Sequence, residues 1–330
     1  MVFGESTFVY VGAETHGLYR LSPESNSWEN LTNGLPRKVK VQTLVIHPNR
    51  PEVIFAGTHD GPYRSEDRGD SWTRLDYPTS GPAVWSFLFK PGDTKTMYLG
   101  TAPGEIHKST DGGDSWNKTS AVMGSNECTM SFPTRVIALT ADPNAPDEIY
   151  AALEVAGVIR SLDGGENWED ITGSLANSED TLDLHGIHCT AASPRTVFIT
   201  TRQGPFIGPD RGSDWIPIDF GRFSKITYTR DLWSDEHMAN VLYVSIGAAA
   251  ISDQGAVYRS RDLFRSFETI GTGVTSNSTM MAVRNDPKAP HNVFCVARAG
   301  EAFGSKDDGA TWESYPLPDG AKEVRALAIG

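Results

Sequence analysis

The chain of 330 residues is poor in cysteine and has no long apolar run. Its three cysteines, Cys128, Cys189 and Cys295, stand far apart. That spacing excludes a dense disulfide framework and a paired-thiolate metal site, and it suits a reducing compartment. The first residues enter strand pattern without the basic stretch and apolar core of a secretory leader. A cytoplasmic protein is therefore expected. No segment reaches the roughly eighteen apolar residues that would suggest a membrane-spanning helix. Positive charge is also short: 29 Lys and Arg against 42 Asp and Glu leave a formal net charge of −13. That deficit argues against nucleic acid or an anionic membrane as partner.

What the chain has is repetition. Ser65-Glu66-Asp67-Arg68-Gly69-Asp70-Ser71-Trp72 returns with small changes at 109–116, 161–168 and 305–312. A copy at 208–215 loses the leading Ser, and one at 260–267 keeps Ser and Asp but ends in Phe267. A degenerate copy closes at Trp28. The closing aromatics at 28, 72, 116, 168, 215, 267 and 312 are 44 to 52 residues apart. That is the period of a four-stranded propeller blade, and seven copies predict seven blades.

The repeated octapeptide resembles the Asp-box, or BNR, repeat of the sialidase-like and xyloglucanase-like propellers, and the resemblance runs over essentially the whole chain. It implies an all-β seven-bladed propeller in which each box is a turn between the third and fourth strands, on the face opposite the usual binding site. The physics fits: Asp accepts backbone N–H bonds, Gly supplies positive φ and the aromatic anchors the outer strand. The sialidases of this group are six-bladed and carry an Arg-Ile-Pro signature that this chain lacks. The xyloglucan-cleaving members resemble two such rings with a cleft between them, whereas one ring is present here. No catalytic residue carries over from either.

Within each repeat the apolar runs predict strands A to D. Val324–Ile329 aligns with strand A and Phe8–Gly12 with strand B, so the last strand is expected to complete the first blade and close the ring. The expected blades are 1–32 plus 321–330, then 33–77, 78–120, 121–175, 176–218, 219–270 and 271–320. Antiparallel order puts the D–A and B–C loops together on a top face. Three of these loops, 122–134, 174–186 and 247–255, are longer than the repeat needs, which marks a binding face.

Aligning the A strands on their Pro turns stacks one chemically mixed column: Gln42, Trp85, Ile137, His188, Lys225, Met281 and Arg325. Lys40, Arg135, Phe223, Thr279 and Glu323 stand one step nearer the top. Cations recurring in an acidic protein suggest a mouth that focuses potential on an anion. Lys40, Gln42, Trp85, Arg135, Lys225, Arg298 and Arg325 are the candidate substrate-binding residues. His188 and the loop acids Glu14, Asp60, Glu105 and Glu154 are candidates to move a proton, the acids provided that burial raises their pKa. No cofactor is required by the sequence. A divalent metal, if held, would take His16, His59, His185 and His188.

Two functional readings follow. One is a hydrolase or lyase acting on a small anionic or sugar-like substrate in an axial pocket opposite the boxes. The other is a non-catalytic ring that docks a protein on its top face, which would require an apolar or aromatic rim.

Overall fold

The computed structural model describes residues 7–15, 17–25, 27–78, 81–121, 130–235, 237–271, 274, 276–318 and 320–330. They form seven four-stranded antiparallel sheets arranged as a propeller. The second blade shows the common plan: Val41–His47 innermost, then Arg50–Thr58, Gly61–Ser65 and, outermost, Thr73–Arg74. The innermost strands of the third to seventh blades are Ala83–Lys90, Arg135–Asp142, Leu184–His188, Tyr228–Ser234 and Met280–Asp286. In the first blade that place is taken by Val324–Ile329, which pairs with Val9–Ala13. The expected closure is observed, and it pairs the inner edge of Val9–Ala13.

Between blades lies a column that the sequence reading passed over. Each second strand buries one aromatic ring: Tyr10, Phe55, Tyr98, Tyr150, Phe198, Tyr243 and Phe294, none more than 1% exposed. These rings reach the octapeptide turn of the following blade. The Tyr10 hydroxyl donates to Arg68 O at 3.1 Å, and that of Tyr98 to Gly164 O at 2.8 Å. Phenols this deep in apolar surroundings keep their partners because an unpaired buried hydroxyl is costly.

The octapeptide turns join the third strand to the fourth. In the second blade Ser65 Oγ donates to Asp67 Oδ1 and accepts from Gly69 N, each at 2.7 Å. Asp67 also accepts from Ser71 N and Ser71 Oγ, and Trp72 Nε1 donates to Gly69 O. The backbone takes two left-handed residues in succession, Arg68 at φ 59° and Gly69 at φ 92°. In the sixth blade Leu263 and Phe264 hold those positions at φ 57° and 72°. A non-glycine there is strained. Phe264 offsets the strain by burial, packing edge-on to Phe198 and against Phe267.

Candidate functional site

The site is generated by a backbone irregularity common to every blade. Near its top, each innermost strand carries one residue that the register skips. Val41 pairs with Thr58 and Thr43 with Gly57, which leaves Gln42 in a β-bulge. The same break leaves out Trp85, Ile137, His185, Arg230, Met281 and Arg325 in the other six blades. A bulge adds twist and re-aims its side chain. All seven bulge residues line an axial cavity of about 290 Å³. Two residues earlier in the chain, at or just before the start of each strand, stands a second ring: Lys40, Ala83, Arg135, Asp183, Tyr228, Thr279 and Glu323.

Five members of the column expected from sequence are therefore in place, and two need correction. In the fifth blade the bulge residue is His185. His188 lies three residues deeper, where its Nε2 is 2.7 Å from Ser234 Oγ. Burial, aided by the charge of Arg284, pushes the His188 imidazole down to about 4, so it is neutral near pH 7. The Pro alignment misled because this blade inserts residues between strand A and Pro194, whereas the second, third, fourth and seventh blades reach Pro directly after strand A. In the sixth blade, which has no such Pro, the bulge residue is Arg230. Lys225 is exposed and precedes the strand, and the upper-ring residue is Tyr228 in place of Phe223. Trp233 stands in the innermost strand on the channel wall, with Arg284 4.3 Å above its ring.

The loop acids meet the A-strand ends on one face, as antiparallel order requires, but they are engaged. Arg325 Nε donates to Glu14 Oε1 at 2.9 Å, and Lys40 Nζ lies 4.0 Å from Glu14 Oε2. Glu154 takes Arg135 at 2.9 Å, while the Arg135 guanidinium is stacked between Trp85 and Phe132. Glu105 holds Lys118 at 2.6 Å and His107 at 3.0 Å. Asp60 accepts from the Tyr63 hydroxyl and lies 3.4 Å from Arg74 Nε. Arg298 pairs with Glu323, which also sits 3.9 Å from Arg325.

Arg230 differs: it makes no ion pair with any described residue. Its charge is felt nearby. Burial, and then the like charges of Arg230 and Arg298, push the Arg325 guanidinium below its usual value despite the opposing pull of Glu14. The mouth of the channel therefore holds guanidinium groups close enough to disfavour one another's charge, with Asp183 of the upper ring within reach of Arg230. Two non-glycine residues at this rim hold left-handed backbone, Val155 at φ 60° and Glu323 at φ 58°. Such strain concentrates where a side chain must be aimed.

Among the described residues no group of His, Cys, Asp and Glu converges as metal ligands. His59 Nδ1 accepts from the backbone N–H of Lys40, and His185 is bonded to Thr229 and Tyr228. His16 lies outside the described residues, as do Cys128 and residues 122–129 of the expected long loop. The second such loop holds a 3₁₀ turn at Gly173–Asn177 and a helical turn at Glu179–Leu182, capped by Ser178. Its strand begins at Leu184.

Seven four-stranded sheets around an axial, cation-bearing mouth define a seven-bladed propeller with its candidate site on the face opposite the octapeptide turns. The chain belongs to the DUF6242 beta propeller domain family, which it matches over residues 1–186. It is 25% identical over 262 residues to xyloglucanase Xgh74A of Acetivibrio thermocellus, covering 64% of this chain and 29% of that protein. The chain thus spans less than a third of that relative's length. Two solved structures show the fold alone. The GH74 xyloglucanase from Xanthomonas campestris superposes with a TM-score of 0.63 at 18% identity, over 83% of this chain and 45% of that one. A putative 6-phosphogluconolactonase from Bacteroides fragilis gives 0.65 at 9% identity, over 99% and 98%.

Proposed function

We propose that this ring is a carbohydrate-active propeller that takes a small anionic sugar, of the uronic acid type, in the mouth of its axial channel. Arg230 and Arg325 would hold the carboxylate. The likeness to xyloglucanases supports a sugar as the ligand, and the arginines support a negative charge on it. The observation that carries the reading is Arg230, a bulge-ring cation without an ion-pair partner among the described residues, set beside an Arg325 whose charge it already disfavours. An incoming carboxylate would relieve that repulsion, and charge-assisted bonds in a partly desolvated mouth are the stronger kind. Ile137 of the same ring offers apolar surface for a sugar face.

The test is calorimetric titration and thermal unfolding with galacturonate and glucuronate, using glucose as the uncharged control. Binding of the acids and not of glucose is expected. Loss of a hydrogen-bonded charge pair is worth about 1.5–3 kcal/mol, so Arg230→Ala should weaken binding about tenfold to a hundredfold. Equal affinity for glucose and the acids, or an Arg230→Ala variant that binds like wild type, would sink the reading. We also propose a cytoplasmic setting, for which Cys189 and Cys295, both buried and unbridged, are the support.

One observation favours a second reading, a docking ring. Ala248 to Ile251 are exposed on the same face, Ile251 to 74%, and Arg298 ties this loop to the mouth through Ala250 O. If no sugar acid binds, Ile251→Asp is the variant to carry into a search for a protein partner.

A further inference from the structure

Resting on that reading of the axial mouth, we propose that Asp231, Arg284 and His188 form a second subsite deeper in the channel, made for an uncharged sugar unit. The ligand is then an oligosaccharide with its acidic unit at the mouth and a neutral unit below. The cavity lining sets the depth: it runs from the bulge ring down to Ile46, Trp233, Asn285 and Ile329. Four residues of strand at about 3.3 Å each separate Gln42 from Ile46, roughly 13 Å in all. One pyranose ring does not fill that depth.

This wall departs from the repeat along one arc. Directly after the bulge residue, six blades place a small side chain or none: Thr43, Ser86, Ala138, Gly186, Ala282 and Ala326. The sixth blade places Asp231 there. Two residues further down, the first four blades carry Ala328, Val45, Leu88 and Thr140, whereas the fifth to seventh carry His188, Trp233 and Arg284. Those blades are neighbours, and all four departing side chains line the cavity. The Asp231 and Arg284 side chains are each 20% exposed, against 17% for Arg325 at the mouth, and His188 is half-buried.

The group is held from behind and open in front. Asp231 Oδ2 accepts from Val283 N at 3.2 Å and from Arg284 Nη1. The Arg284 guanidinium is stacked on Trp233, whose Nε1 donates to Asn285 Oδ1 at 2.9 Å. These contacts leave Asp231 Oδ1 and Arg284 Nη2 without a hydrogen bond to any described residue. His188 Nε2 is spent on Ser234, and Nδ1 is likewise unbonded among the described residues. A carboxylate oxygen only accepts and a guanidinium only donates. Side by side they match sugar hydroxyls, which do both, and bonds to charged groups are the stronger kind. The two charges cancel and His188 is neutral near pH 7, so this level favours an uncharged unit where the mouth favours an anion.

The experiment titrates the full chain by calorimetry with glucuronate, with β-1,4-linked dimers of one glucuronate and one glucose in both orders, and with the glucuronate dimer. At least one mixed dimer should bind about tenfold or more tighter than glucuronate, and tighter than the all-acidic dimer. The Asp231→Ala, Arg284→Ala double variant gives this level the side chain that Ala138 and Ala328 already place there in other blades, and its melting temperature checks the fold. In that variant the advantage of the mixed dimer over glucuronate should vanish. Glucuronate binding with no gain for either mixed dimer would overturn the second subsite and leave the mouth reading standing, and this comparison needs only the wild-type chain. An equal gain for the all-acidic dimer would overturn the neutral character of the subsite. A double variant that melts like wild type and keeps the full advantage would overturn the residue assignment. No binding of glucuronate or of any dimer would overturn the mouth reading and this inference with it.

Discussion

At the scale of single residues, the octapeptide aspartates show how short-range hydrogen bonding stores stability in a pH-dependent form. Asp111 is held down to about 2 by the Ser115 hydroxyl and backbone and by Ser109. Asp163 reaches about 2 through the Asn167 backbone and amide and Ser161. Asp307 does so through Thr311 and Ser305. An unfolded aspartate titrates near about 3.9, so these folded values lie below the unfolded one. The stabilisation is therefore complete above about pH 4 and disappears as pH falls through about 2. Melting temperature measured from pH 5 down to 2 should fall more steeply for wild type than for an Asp111→Asn, Asp163→Asn, Asp307→Asn triple variant. Parallel curves would show that these contacts add nothing to acid stability. The same scale separates Arg230 from Arg135 and Arg325: one lacks an ion-pair partner among the described residues, while the others hold Glu154 and Glu14.

At the scale of elements, two columns organise each blade. The bulge re-aims one side chain per inner strand into the channel, and the buried aromatic of the second strand braces the next blade's turn. The sixth blade tests the second device, because Phe264 sits in left-handed backbone where the second, third, fourth, fifth and seventh blades have Gly. Phe264→Ala keeps the strained backbone and discards the buried ring, so a loss of about 3–5 kcal/mol is expected in denaturant unfolding. A loss under about 1 kcal/mol would mean that the ring does not offset the strain. Close approach limits substitution near the axis as well. A Cβ built at Gly100 would stand 2.5 Å from both Ser86 Oγ and Val136 Cβ. The Gly100→Ala variant should lose about 1–3 kcal/mol through overpacking, and neutral behaviour in the same unfolding assay would show that the blades can yield there.

At the scale of the molecule, stability depends on joining the two ends of the chain. Val324–Ile329 pairs with Val9–Ala13 and packs against the second blade, and Phe8 and Gly330 exchange backbone bonds at 2.9 and 3.1 Å. Removing residues 321–330 should expose the inner edge of Val9–Ala13, lower the melting temperature sharply and promote aggregation in light scattering and size-exclusion profiles. A truncated chain that melts like wild type as a monomer would show that the ring does not rely on this closure. The site is also a property of the whole ring, since Arg230 and Arg325 come from blades separated along nearly a hundred residues of chain.

Blade number, blade plan, closure and the shared face of the D–A and B–C loops were all legible in the sequence. Each follows from local rules that repeat: strand alternation, turn chemistry at Asp and Gly, and a fixed period. Gln42, Trp85, Ile137 and Met281 were legible for the same reason, because a tight Pro turn at a constant distance sets their register, and Arg325 because its strand repeats the same apolar pattern. His185, Arg230 and Tyr228 were not, because longer connections in the fifth and sixth blades remove that ruler and a bulge has no sequence signature of its own. Which charges are spent and which remain available was decided only by tertiary structure. Ion pairing depends on distances of a few ångströms between residues far apart in the chain, and a repeat pattern carries no information about those distances.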